Sequence, residues 1–422
     1  MVHRLARLSP FGVLLALALA LAACAGGASE GTPGAGGSGE AIKVGFMYDG
    51  TGPIRQLGIP YKTGFEDYVK LVNRRGGIDG HPIEISLCEH GYEVPRGVQC
   101  YERHKAEGVP ITFTLSTPLS AALVDRCNAD KIVCSTPGFG PSATMNGEKY
   151  PYIFPQAAGW WSQVAGAVQF VLEQWQRGDN EGRPKVAYLY TDNPAGREPL
   201  EALKAIVQRE GITYQPFAFP LGSVDLTVQV SDIAQRFRAD WTIVHATGAS
   251  GSAAIKAFRQ MGYPMDRVVW LYLLGEDEVT GAGGWQVAEG VYLSSWSATG
   301  IDQPILEEIR RMYQEQGGSP PREMETSTTW YLRGVAVAAI WAEGLRKALE
   351  NDGWPLTGEK VKRGMESVRG ELARGVVRLE MSPRDHEGGG FVTVYQAKDG
   401  KWVQAKDWFR AYRDIIQSLA YK

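Results

Sequence analysis

The sequence IKVGFMYDGTGPIRQLGIPYKTGFEDYVKLVNRRGGIDGHPIEISLC, residues 42–88, has the pattern of a strand, a helix and a second strand. Ile42–Met47 is an apolar run, and a glycine-rich turn leads from it into apolar residues at helical spacing. Arg74–Gly77 supplies basic residues and glycines, which end a helix. Pro82–Cys88 then alternates apolar and polar residues. The stretch therefore predicts a strand–helix–strand unit with parallel strands.

The same alternation continues along the rest of the chain. It predicts four strands before Trp160, and it starts again from Trp160 to Leu273. A long apolar helix follows at Thr326–Leu349, then two strands around Phe391–Val403 and a final helix near Trp408–Leu419. Repeated units of this kind predict an α/β fold with two doubly wound parallel sheets, one in each lobe. Ligands of such sheets bind at the carboxyl ends of the strands.

The N-terminus has the pattern of an export signal. Met1–Arg7 carries two arginines and no acid, and Phe11–Leu21 is apolar. Leu21-Ala22-Ala23-Cys24 resembles the lipobox of bacterial lipoproteins, so we expect residues 1–23 to be a signal peptide and Cys24 to carry lipid. Residues 24–40 are rich in small residues and predict a flexible tether. The protein is therefore expected to be exported and anchored at the outer face of the cytoplasmic membrane or in the periplasm.

Composition excludes several classes of protein. The chain has 44 Lys and Arg against 47 Asp and Glu, a formal charge of −3, whereas a nucleic-acid partner would need a basic face. Gly50-x-Gly52 lacks the third glycine of a dinucleotide loop, because Arg55 stands there. Gly248–Ser252 lacks the last glycine of a nucleophile elbow. We therefore expect no catalytic residues, no cofactor and no membrane contact beyond the lipid anchor.

Four cysteines follow Cys24, and an even number in an exported chain favours disulfides. They are Cys88, Cys100, Cys127 and Cys134. Three pairings are possible, and the two local ones, Cys88 with Cys100 and Cys127 with Cys134, are favoured because each would join neighbouring elements. The alternative is a zinc site that adds His90 and His104 to the first pair, but its spacing does not match a zinc finger.

Short motifs along the chain resemble those of the leucine/isoleucine/valine-binding proteins, the type I solute receptors of ABC importers. In chain order these motifs are Gly50–Pro53, Asn73–Gly80, Ser116–Ser120, Thr136–Gly138, Tyr152–Gln156, Asp192–Gly196, Gly275–Glu276 and Ala288–Gly290. The resemblance implies two lobes that close on a ligand about three crossovers. We expect these crossovers near Ala157–Gly159, Tyr292–Ser295 and Ser382–Arg384.

The resemblance also implies a division of the chain and a function. Lobe 1 is expected at residues 41–157 and 293–382, and lobe 2 at residues 158–292 and 383–422. The protein would be a monomer that captures a small molecule and delivers it to the permease subunits of an ABC importer. The alternative is a ligand-sensing component of a signalling pathway, because one fold can serve both functions.

In the family, hydroxyls and backbone amides after the third and fourth strands of lobe 1 hold a carboxylate. The matching positions are Ser116 and Thr117 in the first loop and Gly138, Phe139 and Gly140 in the second. Helix N-termini favour anions, which supports this prediction. The alternative is that Ser116 and Thr117 only cap the following helix.

Lobe 2 contributes further predicted ligand contacts. Glu276 matches the acid that receives an amino group in amino-acid-binding relatives, although three acids in a row are also typical of a solvated loop. Trp160 and Trp161, at the crossover into lobe 2, are predicted to form a wall of the cleft, with Trp161 as the ligand contact, although large aromatic residues are more often part of a core. Asp192 and Thr247 are predicted cleft residues because they follow strands.

Three departures from the family pattern bear on the ligand. Gly140 stands where amino-acid-binding members have a threonine, and Leu57 and Ala195–Gly196 stand where they have aromatic rings. These losses predict a larger pocket, flanked by Phe139 and tryptophans. They favour an aromatic or other organic acid over an amino acid as the ligand.

Overall fold

The computed structural model describes residues 39–178 and 180–422. The predicted signal peptide, Cys24 and residues 24–38 of the tether lie outside these ranges. The end of the tether contacts the body of the protein. The backbone N–H of Gly39 donates to the carbonyl of Gly80 at 2.9 Å, and His81 Nδ1 lies 2.7 Å from the carbonyl of Glu40.

The strands of the described residues pair into three sheets. They are β1 (Ile42–Tyr48), β2 (Ile83–Glu89), β3 (Ile111–Thr114), β4 (Val133–Ser135), β5 (Ile153–Phe154), β6 (Lys185–Thr191), β7 (Thr213–Phe219), β8 (Trp241–His245), β9 (Val268–Leu271), β10 (Tyr292–Ser295), β11 (Arg369–Leu372), β12 (Val377–Glu380), β13 (Val392–Lys398) and β14 (Lys401–Phe409).

The helices cover both faces of the larger sheets. They are α1 (Arg55–Arg74), α2 (Val94–Ala106), α3 (Thr117–Asp130), α4 (Trp160–Arg177), α5 (Pro194–Arg197), α6 (Leu200–Glu210), α7 (Thr227–Ser231), α8 (Gly248–Gln260), α9 (Glu276–Ala282), α10 (Trp285–Ala288), α11 (Pro304–Glu315), α12 (Glu323–Thr326), α13 (Thr328–Asp352), α14 (Gly358–Glu366) and α15 (Arg413–Ala420). Within residues 39–178 and 180–422, none of them is both long enough and apolar enough to cross a membrane.

The first sheet has the strand order β2-β1-β3-β4-β5, and all its neighbouring strands are parallel. Every residue of β3 and β4 is buried, as expected for central strands covered by helices on both faces. We call the part of the chain built around this sheet lobe 1. The strand–helix–strand pattern of residues 42–88 is confirmed as β1, α1 and β2.

The second sheet has the order β14-β13-β10-β9-β8-β6-β7, and the part of the chain around it is lobe 2. Its strands are parallel from β7 to β10, but β13 and β14 are antiparallel to their neighbours. The sheet is therefore mixed, where the sequence predicts only parallel strands. Because Phe409 still pairs with Val392, β14 extends past the predicted Val403, and the last helix begins at Arg413 rather than near Trp408.

The chain passes between the two sheets three times. It leaves lobe 1 between Phe154 and Trp160, returns after Ser295, and crosses again between β12 and β13. Tyr292–Ser295, where a crossover is expected, is itself the strand β10, because it pairs with β9 and β13. The second crossover therefore lies a few residues later in the chain. The exact bounds of the two lobes stay a prediction.

The helices α1 and α13 cross closely in lobe 1 because glycines stand at the contact. A Cβ atom at Gly64 would lie 2.0 Å from the carbonyl oxygen of Tyr331, and one at Gly334 would lie 1.9 Å from that of Tyr61. Any larger residue at either position would force the helices apart. This crossing places Tyr61 of α1 beside the N-terminal half of α13.

Both favoured disulfides are confirmed. Cys88 pairs with Cys100, with their Cα atoms 5.6 Å apart, and Cys127 pairs with Cys134 at 6.1 Å. Each bond ties a helix of lobe 1 to a strand of the first sheet. The zinc alternative is wrong because its two cysteines form a disulfide. Among the described residues no cluster of three or more metal-ligand side chains occurs.

Candidate functional site

A small cavity lies between the lobes, at the carboxyl ends of strands of both sheets. Lobe 1 lines it with Ile54, Leu57, Tyr92, Ser116, Thr117 and Phe139. The lining from lobe 2 includes Trp160, Thr191, Asn193, His245, Thr247 and Leu273. Its volume is about 40 Å³, enough for a few water molecules and far below the several hundred Å³ of a typical ligand pocket. This closed arrangement therefore leaves no room for a ligand, and the enlargement of the pocket relative to amino-acid-binding members stays a prediction.

A larger hollow lies elsewhere, on the surface between α1 and α11. It measures about 790 Å³ and is lined mainly by arginines and glutamates. These side chains pair with one another, for example Arg74 with Glu315 at 2.9 Å and Arg75 with Glu308 at 2.7 Å. The interlobe cavity is the better candidate site, because it combines apolar walls with polar groups at strand ends.

The loop after β3 brings two predicted residues to the cavity. Ser116 is the N-cap of α3, and its Oγ accepts a hydrogen bond from the backbone N–H of Leu119 at 3.3 Å. Thr117 Oγ1 accepts a hydrogen bond from Trp160 Nε1 at 3.2 Å, across the first crossover. Ser116 therefore caps the helix and also lines the cavity, and its contact with a ligand stays a prediction.

In the loop after β4, one of the three predicted residues lines the cavity and the other two lie beside it. Phe139 lines the cavity and meets Trp160 edge-on, with their ring centroids 6.4 Å apart. Gly138 has φ +74°, and a Cβ atom there would lie 2.2 Å from Trp296 Nε1. Gly140 lies against the carboxyl group of Glu198. Only glycine fits at Gly138, because its backbone conformation and this close approach both disfavour a side chain.

Two predicted residues lie beside the cavity, and their sequence neighbours line it. Asp192 is exposed and pairs with Arg197 at 2.7 Å, whereas Asn193 lines the cavity. Trp161 is buried and donates from Nε1 to the carbonyl of Glu198 at 3.1 Å. It is Trp160 that lines the cavity, because it begins α4 with its ring toward lobe 1.

Thr247 lines the cavity as predicted and belongs to a buried network around Glu278. Its Oγ1 donates to Glu278 Oε1 at 3.0 Å, and the backbone N–H groups of Gly248 and Gly275 also donate to this carboxyl group. Burial raises the pKa of Glu278. Glu278 is therefore not part of a solvated loop, although three acids in a row are typical of one. Backbone N–H donors at the start of α8 and α9 hold its carboxylate in the interior.

Glu276 joins the two lobes and does not line the cavity. Its Oε2 accepts from the backbone N–H of Thr329 and its Oε1 from Thr329 Oγ1, each at 2.9 Å. Ser327 donates to the neighbouring Asp277 at 2.5 Å. Burial raises the pKa of Glu276. Both acids lie at the N-terminus of α13, where a helix favours negative charge.

Behind the cavity wall lies a cluster of aromatic rings around a buried guanidinium. Tyr272 follows β9, and its ring centroid is 5.9 Å from Phe139 and 5.1 Å from Trp160. On its other side, Arg333 Cζ lies 4.7 Å from the Tyr272 ring and 4.2 Å from the Trp330 ring. Burial lowers the pKa of Arg333 to about 10.

Sequence reasoning missed several of these residues. His245 is the last residue of β8 and Tyr272 follows β9, so the rule that placed Thr247 could also have found them. Burial lowers the pKa of His245 to about 4, which keeps the ring neutral. A different feature of the sequence could have identified Arg333. It is the only charged residue between Thr326 and Ala342, in an otherwise apolar stretch of helix.

A buried carboxylate ties two of the crossovers together. Glu387, in the third crossover, accepts from the backbone N–H of Gly159 in the first at 2.7 Å. Ser162 Oγ also donates to it at 2.9 Å, and Arg413 Nη1 at 2.5 Å. Arg413 Nη2 pairs with Asp385 at 2.7 Å. The segments about which the lobes could move are therefore linked by charged hydrogen bonds.

Known proteins resemble the chain in sequence and in fold. It matches the model of the periplasmic binding protein family over residues 41–401. The Leu/Ile/Val-binding protein homolog 3 of Brucella melitensis is 25% identical over 174 residues, which cover 41% of this chain and 45% of that protein. The chain thus spans less than half the length of this relative.

Solved structures match over nearly the whole chain. One, described as an ABC transporter permease from the Pseudomonas fluorescens group, is 27% identical with a TM-score of 0.80, and the match covers 90% of this chain and 95% of that one. A fatty acid ABC transporter substrate-binding protein from Thermomonospora curvata is 19% identical with a TM-score of 0.74, covering 92% and 96%. The protein described here belongs to the periplasmic binding protein family.

Proposed function

We propose that this protein captures a small organic molecule between its lobes, outside the cytoplasmic membrane, and delivers it to the permease subunits of an ABC importer. In this proposal residues 1–23 are removed on export and lipid on Cys24 keeps the protein at the membrane. The family supports binding and an extracytoplasmic location, because its members are solute receptors.

The observation that carries the proposal is the cavity at the strand ends of both sheets. Thr117 of lobe 1 and Thr247 of lobe 2 line it together with the aromatic residues Phe139 and Trp160. A molecule that touches both lobes stabilises the closed state through contacts that the open state lacks. Since the closed cavity holds only a few waters, the lobes must separate to admit a ligand and settle around it.

The ligand class follows from the chemistry of the walls. The relative in Brucella is named for leucine, isoleucine and valine, and the Thermomonospora protein for fatty acids. Here Glu276, the expected partner of an amino group, is occupied by Thr329, and aromatic rings flank the cavity. We therefore propose an organic acid, aromatic or aliphatic, as the ligand in preference to an amino acid.

Thermal unfolding with a panel of ligands tests this function. The panel contains branched-chain amino acids, aromatic acids, short fatty acids and the corresponding amides. A ligand at 100 times its Kd should raise the free energy of unfolding by about 2.7 kcal/mol. Thr117→Val should weaken binding about fivefold, because it removes a cavity hydroxyl worth roughly 1 kcal/mol.

The control is Thr213→Val, which makes the same change on an exposed residue of β7 and should leave the affinity unchanged. Equal effects of the two substitutions, or no stabilisation by any member of the panel, would contradict the proposed site.

A further inference from the structure

We propose that Arg333 binds the carboxylate of the ligand, so that the acid group enters between α13 of lobe 1 and the loop after β9 of lobe 2. This inference rests on the proposed function and names the group that recognises the ligand. It places the anion on a helix side chain, deeper than the loops after β3 and β4 from which the sequence predicts binding.

The guanidinium of Arg333 is buried and has no hydrogen-bonded acceptor in the described part of the chain. Arg333 is 0% exposed, and none of Nε, Nη1 and Nη2 has a hydrogen-bond partner among the described residues. A buried charge without such partners is costly, and proteins rarely keep one without a use. Arg413 shows the ordinary solution in the same chain, because its guanidinium donates to Glu387 and Asp385.

The uncharged polar groups near Arg333 are hydrogen-bond donors. The hydroxyls of Tyr61 and Tyr272 and the indole N–H groups of Trp296 and Trp330 are buried and have no hydrogen-bond partner in the part of the chain that the structure describes. The indoles can only donate, and the hydroxyls can donate. The centroid of the Tyr272 ring lies 6.3 Å from those of both Trp296 and Trp330, so these three rings are neighbours in the core beside Arg333. Such an excess of donors beside a cation fits an anion and repels a cation.

The nearby acids do not fill this role. Glu276 is hydrogen-bonded to Thr329, and Glu278 to Thr247 and two backbone N–H groups. Neither is hydrogen-bonded to Arg333, so its five N–H donors stay free for a planar bidentate acceptor. A ligand carboxylate has that geometry.

Arg333 lies where the two lobes meet, so a ligand would reach it when the lobes separate. Arg333 and Trp330 belong to lobe 1, whereas Tyr272, which covers the guanidinium, belongs to lobe 2. Separation of the lobes therefore uncovers the guanidinium. On closure, Tyr272 and the cavity rings Phe139 and Trp160 are placed to pack against the apolar part of the acid.

Matched acids and amides test the inference on the full-length protein. Calorimetry would compare benzoate with benzamide, 4-methylpentanoate with its amide, and leucine. Wild type should bind at least one acid and bind its amide at least 100-fold more weakly. Arg333→Met should lose about 100-fold in affinity for that acid, and Arg333→Lys should lose less because it keeps the charge.

Melting temperature without ligand supplies a second readout. Arg333→Met should raise it by about 2–5 °C, because an unpaired buried charge is replaced by an apolar side chain of similar length. Arg413→Met, the control, should lower it, because that substitution leaves Glu387 buried without its cation.

The outcomes separate the two proposals. If wild type binds a panel member and Arg333→Met binds it equally well, or if amide and acid bind alike, the role of Arg333 is overturned and solute binding stands. A lower melting temperature for Arg333→Met would make the arginine structural and overturn the inference as well. If wild type binds no panel member, both proposals fail.

Discussion

At the scale of single residues, burial sets the state of the groups around the cleft. The carboxyl groups of Glu276 and Glu278 are held inside by backbone and hydroxyl donors, and burial raises the pKa of each. His245, which lines the cavity, is kept neutral at physiological pH by the same cause. Arg333 remains as a buried cation that has no hydrogen-bonded acceptor within residues 39–178 and 180–422. The interior thus provides donors and positive charge where an acid would bind.

Buried histidines predict a loss of stability in mild acid. Burial lowers the pKa of His104 to about 4, below its ordinary value of 6.5. Between these values the unfolded chain binds a proton that the folded protein does not, so the free energy of unfolding falls as the pH drops from about 6.5 to about 4. One such histidine accounts for about 2–4 kcal/mol.

Urea unfolding of His104→Gln across this pH range checks the prediction. The variant should lose less stability between pH 7 and pH 4 than wild type, by about 2–4 kcal/mol. The matched control is Thr112→Val, which removes the hydroxyl 2.9 Å from His104 Nδ1 and keeps the imidazole, so it should retain the acid-induced loss. Identical pH dependence of His104→Gln and wild type would contradict the assignment.

At the scale of elements, close contacts at glycines decide how helices and lobes approach. Gly64 and Gly334 let α1 and α13 cross within lobe 1. Gly275, at the start of α9 in lobe 2, allows α13 of lobe 1 to approach closely. A Cβ atom at this position would lie 2.6 Å from Trp330 Nε1. Its φ of −140° suits any residue, so only the approach of α13 requires glycine.

Gly275→Ala should therefore oppose closure and leave folding almost intact. The added methyl group collides with Trp330 only when the lobes meet, and such overpacking costs about 1–3 kcal/mol. We expect ligand affinity to fall roughly 5- to 150-fold, as measured by calorimetry, with a melting temperature near that of wild type. Gly318→Ala is the control, because its nearest neighbour would be 3.7 Å away. Unchanged affinity of Gly275→Ala would show that this contact does not form on closure.

The local disulfides should stabilise lobe 1. Cys127 and Cys134 are 7 residues apart in sequence, and a loop of that length predicts about 2–3 kcal/mol from constraint of the unfolded chain. Replacing both cysteines by alanine should lower the free energy of unfolding by this amount, measured in urea against wild type. Equal stability of the two proteins would argue that the bond does not form in the exported protein.

Regular periodicity made most of the fold predictable from sequence. The run of β1, α1 and β2 and the range of β7 follow directly from alternating or helical spacing. The β14 strand was harder to predict, because its exposed edge carries polar residues that resemble a helix start. The short strand β11 was not predicted either. Its four residues are mostly exposed, so they show no alternation of apolar and polar positions.

The site was less predictable, because position along the chain does not reveal where a side chain points. Ser116, Thr117, Phe139, Thr247 and Leu57 all line the cavity. Residues next to each other in sequence point differently, however, so Trp160 and Asn193 line it, whereas Trp161 and Asp192, the predicted ligand contacts, lie beside it. The partner of Glu276 is 53 residues away in the other lobe, and no local pattern announces it. The role of each residue toward a ligand stays a prediction.

At the scale of the whole molecule, the structure is a closed one. Contacts such as those of Glu276 with Thr329 join the lobes, and the cavity between them holds only a few waters. Glu387 links two of the crossovers about which the lobes are proposed to hinge. A ligand then acts by shifting the balance between open and closed forms, to the extent that it contacts both lobes only when they are closed.

Small-angle X-ray scattering of the protein, with and without a saturating concentration of the tightest-binding acid, tests closure most directly. The account predicts that the acid lowers the radius of gyration toward about 21–22 Å, the value for a compact chain of this size. A scattering curve that does not change, while calorimetry shows the same sample fully bound, would contradict the claim that the two lobes close around the ligand.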